Sequence, residues 1–101
     1  MDLERHSAGE KQSQGINQVT DQLITLLDRL EFEQARNFAR TGEYSGSQTI
    51  LHSLLRRKTD PVILDLLARV YAQQGLLAEA RAMWEKAAAL DPKTPDYAEG
   101  L

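Results

Sequence analysis

The side chains that could perform chemistry are few and far apart along this chain. His6 lies in the polar segment of residues 1–15, and His52 has neither a second histidine nor a carboxylate at a spacing typical of a metal site. The chain contains no cysteine, which excludes disulfides and thiolate metal sites. Glu31 and Glu33 form a carboxylate pair, but at helical spacing such pairs usually belong to a solvated face. No phosphate-binding loop, dinucleotide turn or nucleophile elbow is present. We therefore predict no enzymatic activity, cofactor or metal.

Charge and hydropathy exclude two further classes of partner. The formal net charge is −3, and the one basic run, Arg56-Arg57-Lys58, has no interleaved aromatic residues, so nucleic-acid binding is not expected. The longest apolar runs are about four residues, against the roughly 20 needed to cross a bilayer. Residues 1–15 have no apolar segment typical of a secretory signal. These features predict a cytoplasmic chain with no membrane span.

The remaining residues indicate helices. Residues 1–15 are nearly devoid of large aliphatic side chains and predict a disordered tail. From Ile16 to Leu30, apolar residues recur every three or four positions, which lines one helix face. We favour one long helix over about residues 17–41, which can bend; the alternative is two helices meeting near residues 28–32. Further helices are predicted over about 44–57, 61–74 and 77–90, with a fifth beginning after Pro95.

Start and stop signals support these bounds. Asp60 can cap the next helix, because its side-chain oxygen can accept a hydrogen bond from a backbone N–H of the first turn. Pro61 suits the first helical position, because the N–H that proline lacks would have no partner within the helix there. Gly75 is suited to the left-handed conformation that follows many helix ends. Thr94-Pro95 then repeats the cap-and-proline start of Asp60-Pro61.

The interval from Pro61 to Pro95 equals the length of a tetratricopeptide repeat, and the intervening residues resemble the same family. Positions matching its W-x-x-L-G-x-x-Y segment are Leu64, Leu67, Ala68 and Tyr71; Ala80 and Trp84 match A-x-x-x-F, and Pro92 matches the closing proline. Ala68 and Ala80 are small because antiparallel helices joined by a short turn must approach closely where these positions meet.

A degenerate earlier copy lies about one repeat length upstream. Its corresponding residues are Ala35, Phe38, Gly42, Ser47, Leu51 and Leu54, while Glu31 and Gln34 replace the leucines at 64 and 67. The resemblance predicts an all-α fold of antiparallel helix pairs in a tetratricopeptide-repeat superhelix, about two repeats plus flanking helices. The predicted repeat domain covers 16–101, with a degenerate repeat over about 28–60, a well-matched repeat over 61–94 and the start of a capping helix over 95–101.

The resemblance also implies a function. Family members bind peptides in a concave groove lined by the first helix of each pair, so we expect a scaffold or adaptor that binds a protein partner. The groove positions carried over to this chain are Arg29, Phe32, Arg36, Arg40, Val62, Asp65, Arg69 and Gln73. Four arginines against one aspartate suggest an acidic or C-terminal peptide segment.

Two alternatives remain open. The arginines can be ordinary solvated residues paired with Glu31, Glu33 or Asp65. The chain can also be a self-association module that forms a homodimer, pairing either through the apolar face from Ile16 to Leu30 or through the open face of the last helices.

Overall fold

A computed structural model describes the backbone of residues 2–99 and the side chains of residues 18–98. Within those residues all regular secondary structure is helical and there is no strand, which confirms the predicted all-α class. The helices are α1 (Asp2–Arg40), α2 (Tyr44–Arg57), α3 (Pro61–Gln73), α4 (Leu77–Leu90) and α5 (Pro95–Glu99). The predicted bounds of α2 and α4 agree with the structure to the residue.

The first helix is longer than the sequence predicts. We expected a disordered tail over residues 1–15, whereas the structure continues the helical backbone to Asp2. This segment contains no proline and several good helix formers, so nothing in it interrupts the backbone hydrogen bonding. Met1 and the side chains of the segment, including that of His6, lie outside the described residues. The chain divides into two compact units, residues 1–30 and residues 31–101.

In the second unit, two turns with the same geometry join the paired helices. Gly42 and Gly75 both have positive φ, +80° and +79°, where an L side chain would be strained. After α1, the Glu43 N–H donates to the Phe38 carbonyl at 2.8 Å; after α3, the Leu76 N–H donates to the Tyr71 carbonyl at 2.9 Å. The two bonds join equivalent positions of the two repeats, so the degenerate repeat keeps the backbone turn of the well-matched one.

The start of α3 follows the predicted capping. The Asp60 carboxylate accepts a hydrogen bond from the Val62 N–H at 2.9 Å, and Pro61 occupies the first turn. The N–H groups of a first helical turn have no partner within the helix, so this bond stabilises the start of α3.

Two apolar clusters form the core of the second unit. The first joins the end of α1 to α2 and α3 through five buried residues: Ala35, Leu51, Leu54, Leu67 and Val70. The second joins α3, α4 and α5 through Leu64, Ala87 and Tyr97. Each helix pair therefore buries part of its surface against the next element, as in a repeat stack.

The small residues lie where the sequence predicts close helix approach. Ala68 and Ala80 are essentially fully buried. Ser47, at the position equivalent to Ala80, is also fully buried, and its hydroxyl donates to the Ala35 carbonyl at 2.9 Å. A Cβ placed on Gly46 would come within 3.0 Å of the Phe38 ring, so glycine permits the contact between α1 and α2 there.

Candidate protein-interaction face

Seven of the eight predicted groove residues lie in the second unit, on the end of α1 and on α3, and the eighth lies in the first unit. Phe32, Arg36 and Arg40 belong to the end of α1, and Val62, Asp65, Arg69 and Gln73 belong to α3. Arg29 lies in the first unit and is not assigned to this face. We call the exposed sides of residues 32–40 and α3 the arginine face.

Arg36 and Arg69 are the equivalent arginines of the two repeats. Each directly follows a fully buried alanine, Ala35 or Ala68, so the buried contacts of the helices fix where the two arginines emerge. Their side chains are 56% and 61% exposed. Both guanidinium groups are therefore presented to solvent from equivalent positions of successive repeats.

Each of these arginines has a carboxylate partner on its own helix. Arg36 Nη1 lies 3.0 Å from Glu33 Oε1, and Arg69 Nε lies 3.0 Å from Asp65 Oδ2. The sequence analysis left open that these arginines pair with nearby carboxylates, and the structure contains such pairs for both of them. Both side chains of the Arg36–Glu33 pair are exposed, and such a pair contributes only about 0.2–1 kcal/mol, so it leaves the Arg36 guanidinium able to exchange partners.

Asp65 has a second contact that the sequence did not predict. Its Oδ1 accepts a hydrogen bond from the Trp84 indole N–H at 2.9 Å, and its side chain is only 17% exposed. Trp84 is half-buried, as expected from its match to the repeat. Asp65 therefore links α3 to α4 and orients Arg69, which leaves it little surface for a partner.

The other predicted residues differ in their exposure. Phe32 is half-buried against the first apolar cluster, so only part of its ring is accessible. Arg40 is exposed and donates a hydrogen bond to the Asn37 side chain. Val62 is 50% exposed and Gln73 is also exposed.

An interhelical contact on the other side of α3 was also missed by sequence reasoning. His52 Nε2 and the Tyr71 hydroxyl are 3.0 Å apart, linking α2 to α3, and their ring centroids are separated by 6.4 Å. The two residues are distant in sequence, and only the match of Tyr71 to the repeat could have suggested that it lies near α2.

The Glu31 and Gln34 positions, which weaken the match of the first repeat, have a structural explanation. Glu31 Oε2 lies 2.8 Å from Arg57 Nη2, so it forms an ion pair with the end of α2. Gln34 is exposed, whereas its equivalent Leu67 is fully buried between repeats. Within residues 31–99 the first repeat has no preceding helix pair, so polar residues can occupy positions that are apolar in the second.

Tyr97 lies on the last described helix in an acidic setting. It is 8% exposed and packs in the cluster that contains Leu64 and Ala87. Burial raises the pKa of the Tyr97 hydroxyl, and the nearby carboxylates of Asp65 and Asp91 raise it further.

No metal-binding chemistry is found in the part of the chain that the structure describes. Among those residues there is no group of three or more histidine, aspartate or glutamate side chains arranged to hold a metal ion. None of the described helices is long and apolar enough to cross a membrane.

The fold defines a helical repeat protein, and one comparison agrees with this class. Residues 61–101 match the family model of the tetratricopeptide repeat, which supports the family assignment that the sequence suggested. Tetratricopeptide repeats generally mediate protein–protein interaction and are generally not enzymes. Searches of curated proteins and of solved structures found no significant match.

Proposed function

We propose that this chain is a non-enzymatic scaffold or adaptor that binds an acidic or C-terminal peptide segment of a partner on the arginine face. The observation that carries the proposal is the exposure of Arg36 and Arg69 at equivalent positions of successive repeats. Arg40 adds a third exposed guanidinium on α1. The proposal keeps the cytoplasmic location that the sequence predicts.

The chemistry of the face favours a carboxylate ligand. A guanidinium group presents several N–H donors in a plane, and it binds a carboxylate through two parallel hydrogen bonds. Glu33 and Asp65 occupy some of these donors in the unbound chain. A peptide with two or more carboxylates would replace the weak Arg36–Glu33 pair and bind the exposed part of the Arg69 guanidinium, and so contact both repeats at once.

Apolar contacts would come from the edges of the same face. Val62 is half-exposed at the start of α3, and Phe32 presents part of its ring on α1. Aromatic anchors and arginines are typical of the residues that dominate binding energy, and aliphatic neighbours add apolar contact area. The proposed ligand therefore combines carboxylates with at least one apolar side chain.

The test is a calorimetric titration with an acidic peptide that ends in a free carboxylate. Replacing both Arg36 and Arg69 with alanine should weaken binding about 100-fold or more, because each arginine loses a hydrogen bond to a charged group that contributes about 1.5–3 kcal/mol. Arg81→Ala is the matched control, since Arg81 is 66% exposed and has its own helical partner, Glu85, but belongs to α4. Binding of that variant should stay within about twofold of the original. An unchanged affinity in the double variant, or an equal loss in the control, would exclude the arginine face.

A further inference from the structure

Residues 18–30 of α1 carry large apolar side chains that are unusually exposed. Those aligned along the helix are Val19, Leu23, Leu26, Leu27 and Leu30, with 52–59% of each residue accessible. By contrast, Leu51 and Leu67 in the second unit are fully buried. Contiguous exposed apolar surface of this kind marks an interaction site.

The spacing of these residues indicates the shape of the missing partner. Val19, Leu23, Leu26 and Leu30 are separated by four, three and four positions, and Ile16 precedes Val19 by three. This alternation of three and four, about 3.5 residues on average, is that of a coiled coil, in which a and d positions face another helix. We call these positions the heptad seam. Ile24, which is 48% exposed, falls outside it.

The charges beside the seam are compatible with pairing between identical chains. In residues 16–30, the positions that flank a heptad seam include only one charged residue, Arg29. Asp21 and Asp28 fall on the side of the helix opposite the seam. A parallel pair sets g positions against e positions, so the two copies of Arg29 would not face each other. Parallel self-pairing through this surface therefore opposes no like charges.

We propose that the heptad seam of α1 pairs with the same segment of a second copy of this chain, forming a parallel two-stranded coiled coil. The seam spans about two heptads, so the area buried is near or below the roughly 1,000 Å² expected of a specific interface. The dimer is accordingly weak and depends on concentration. Pairing would bring two repeat domains into one assembly, and it involves neither Arg36 nor Arg69.

Sedimentation equilibrium of the full chain over micromolar to millimolar concentrations tests this pairing. The apparent mass should rise from the 11.4 kDa of one chain toward twice that value. Replacing Leu23 and Leu26 together with glutamine should hold the mass at that of one chain throughout the range. Ile24→Gln is the matched control, because it removes a similarly exposed aliphatic residue outside the seam and should leave association unchanged.

Two outcomes would overturn the proposal. The first is a monomer at every concentration, and the second is an equal loss of association in the Ile24→Gln control. If the chain is a monomer and the Leu23→Gln/Leu26→Gln variant also has a lower free energy of unfolding, the seam is covered within one chain. Peptide titration of the same variants separates the two proposals, because dimerisation can fail while binding at the arginine face persists.

Discussion

The two repeats share a backbone arrangement but differ in the side chains that fill it. Both turns contain a glycine with positive φ, +80° and +79°, and both close with the same hydrogen bond at equivalent positions. Where the first repeat has Phe32 and Leu51, the second has Asp65 and Trp84 at equivalent positions, joined by a hydrogen bond. Backbone turns and small contact residues thus define the repeat, while the side chains around them can exchange apolar packing for polar contacts.

The largest expected difference between the repeats concerns Leu67 and its equivalent, Gln34. Leu67 is fully buried in the cluster that joins α1, α2 and α3. Leu67→Ala should lower the free energy of unfolding by about 2–5 kcal/mol, because it removes buried methyl groups and leaves a cavity. Gln34→Ala should change it by no more than about 0.5 kcal/mol, since Gln34 is exposed. Urea unfolding followed by far-ultraviolet circular dichroism measures both; equal effects would contradict the assigned repeat register.

The two turn glycines should respond alike. Gly42→Ala and Gly75→Ala should each lower the free energy of unfolding by about 1–2 kcal/mol, because alanine is strained at positive φ. An added Cβ would meet no atom within 4 Å at either site, so packing should not separate the two values. Asparagine tolerates this conformation better than alanine and serves as the control at each position. Clearly unequal losses would show that the turns are not equivalent.

The smallest expected effect is on the pH dependence of stability and involves Tyr97, which lies one repeat length after Leu64. Its pKa is raised in the folded chain, so the unfolded chain releases the hydroxyl proton at a lower pH. This contribution to stability is fully present below about pH 10, the ordinary tyrosine value, and is lost as pH rises through the folded pKa. As the pH is raised from about 8 to about 11, the free energy of unfolding should therefore fall less in the Tyr97→Phe variant than in the original chain. Parallel stability curves for the two proteins would contradict this assignment.

The helix pairs were predictable from sequence because their signals are local. Pro61 and Asp60 indicate a start, Gly75 indicates a stop, and the intervening apolar spacing indicates which face is buried. The extension of α1 to Asp2 was not predictable from apolar spacing, because that segment has almost no apolar residues to show a period.

For the candidate site, the sequence identified the exposed arginines but not their environment. The position of Arg69 follows from the repeat match, whereas the bond from Trp84 to Asp65 depends on side-chain conformations across two helices. The contact between His52 and Tyr71 likewise depends on how α2 lies against α3. Such contacts between distant residues leave no periodic signal in the sequence.

The bond between Trp84 and Asp65 gives the chain a natural optical reporter. Trp84 is its only tryptophan, so fluorescence excited at the long-wavelength edge of the protein's ultraviolet absorption comes from one indole. The carboxylate that accepts the indole N–H also holds Arg69. A ligand that separates Arg69 from Asp65 changes the electrostatic field at the Trp84 ring. Binding of a ligand to α3 can therefore be followed as a change in tryptophan emission, without attaching a dye.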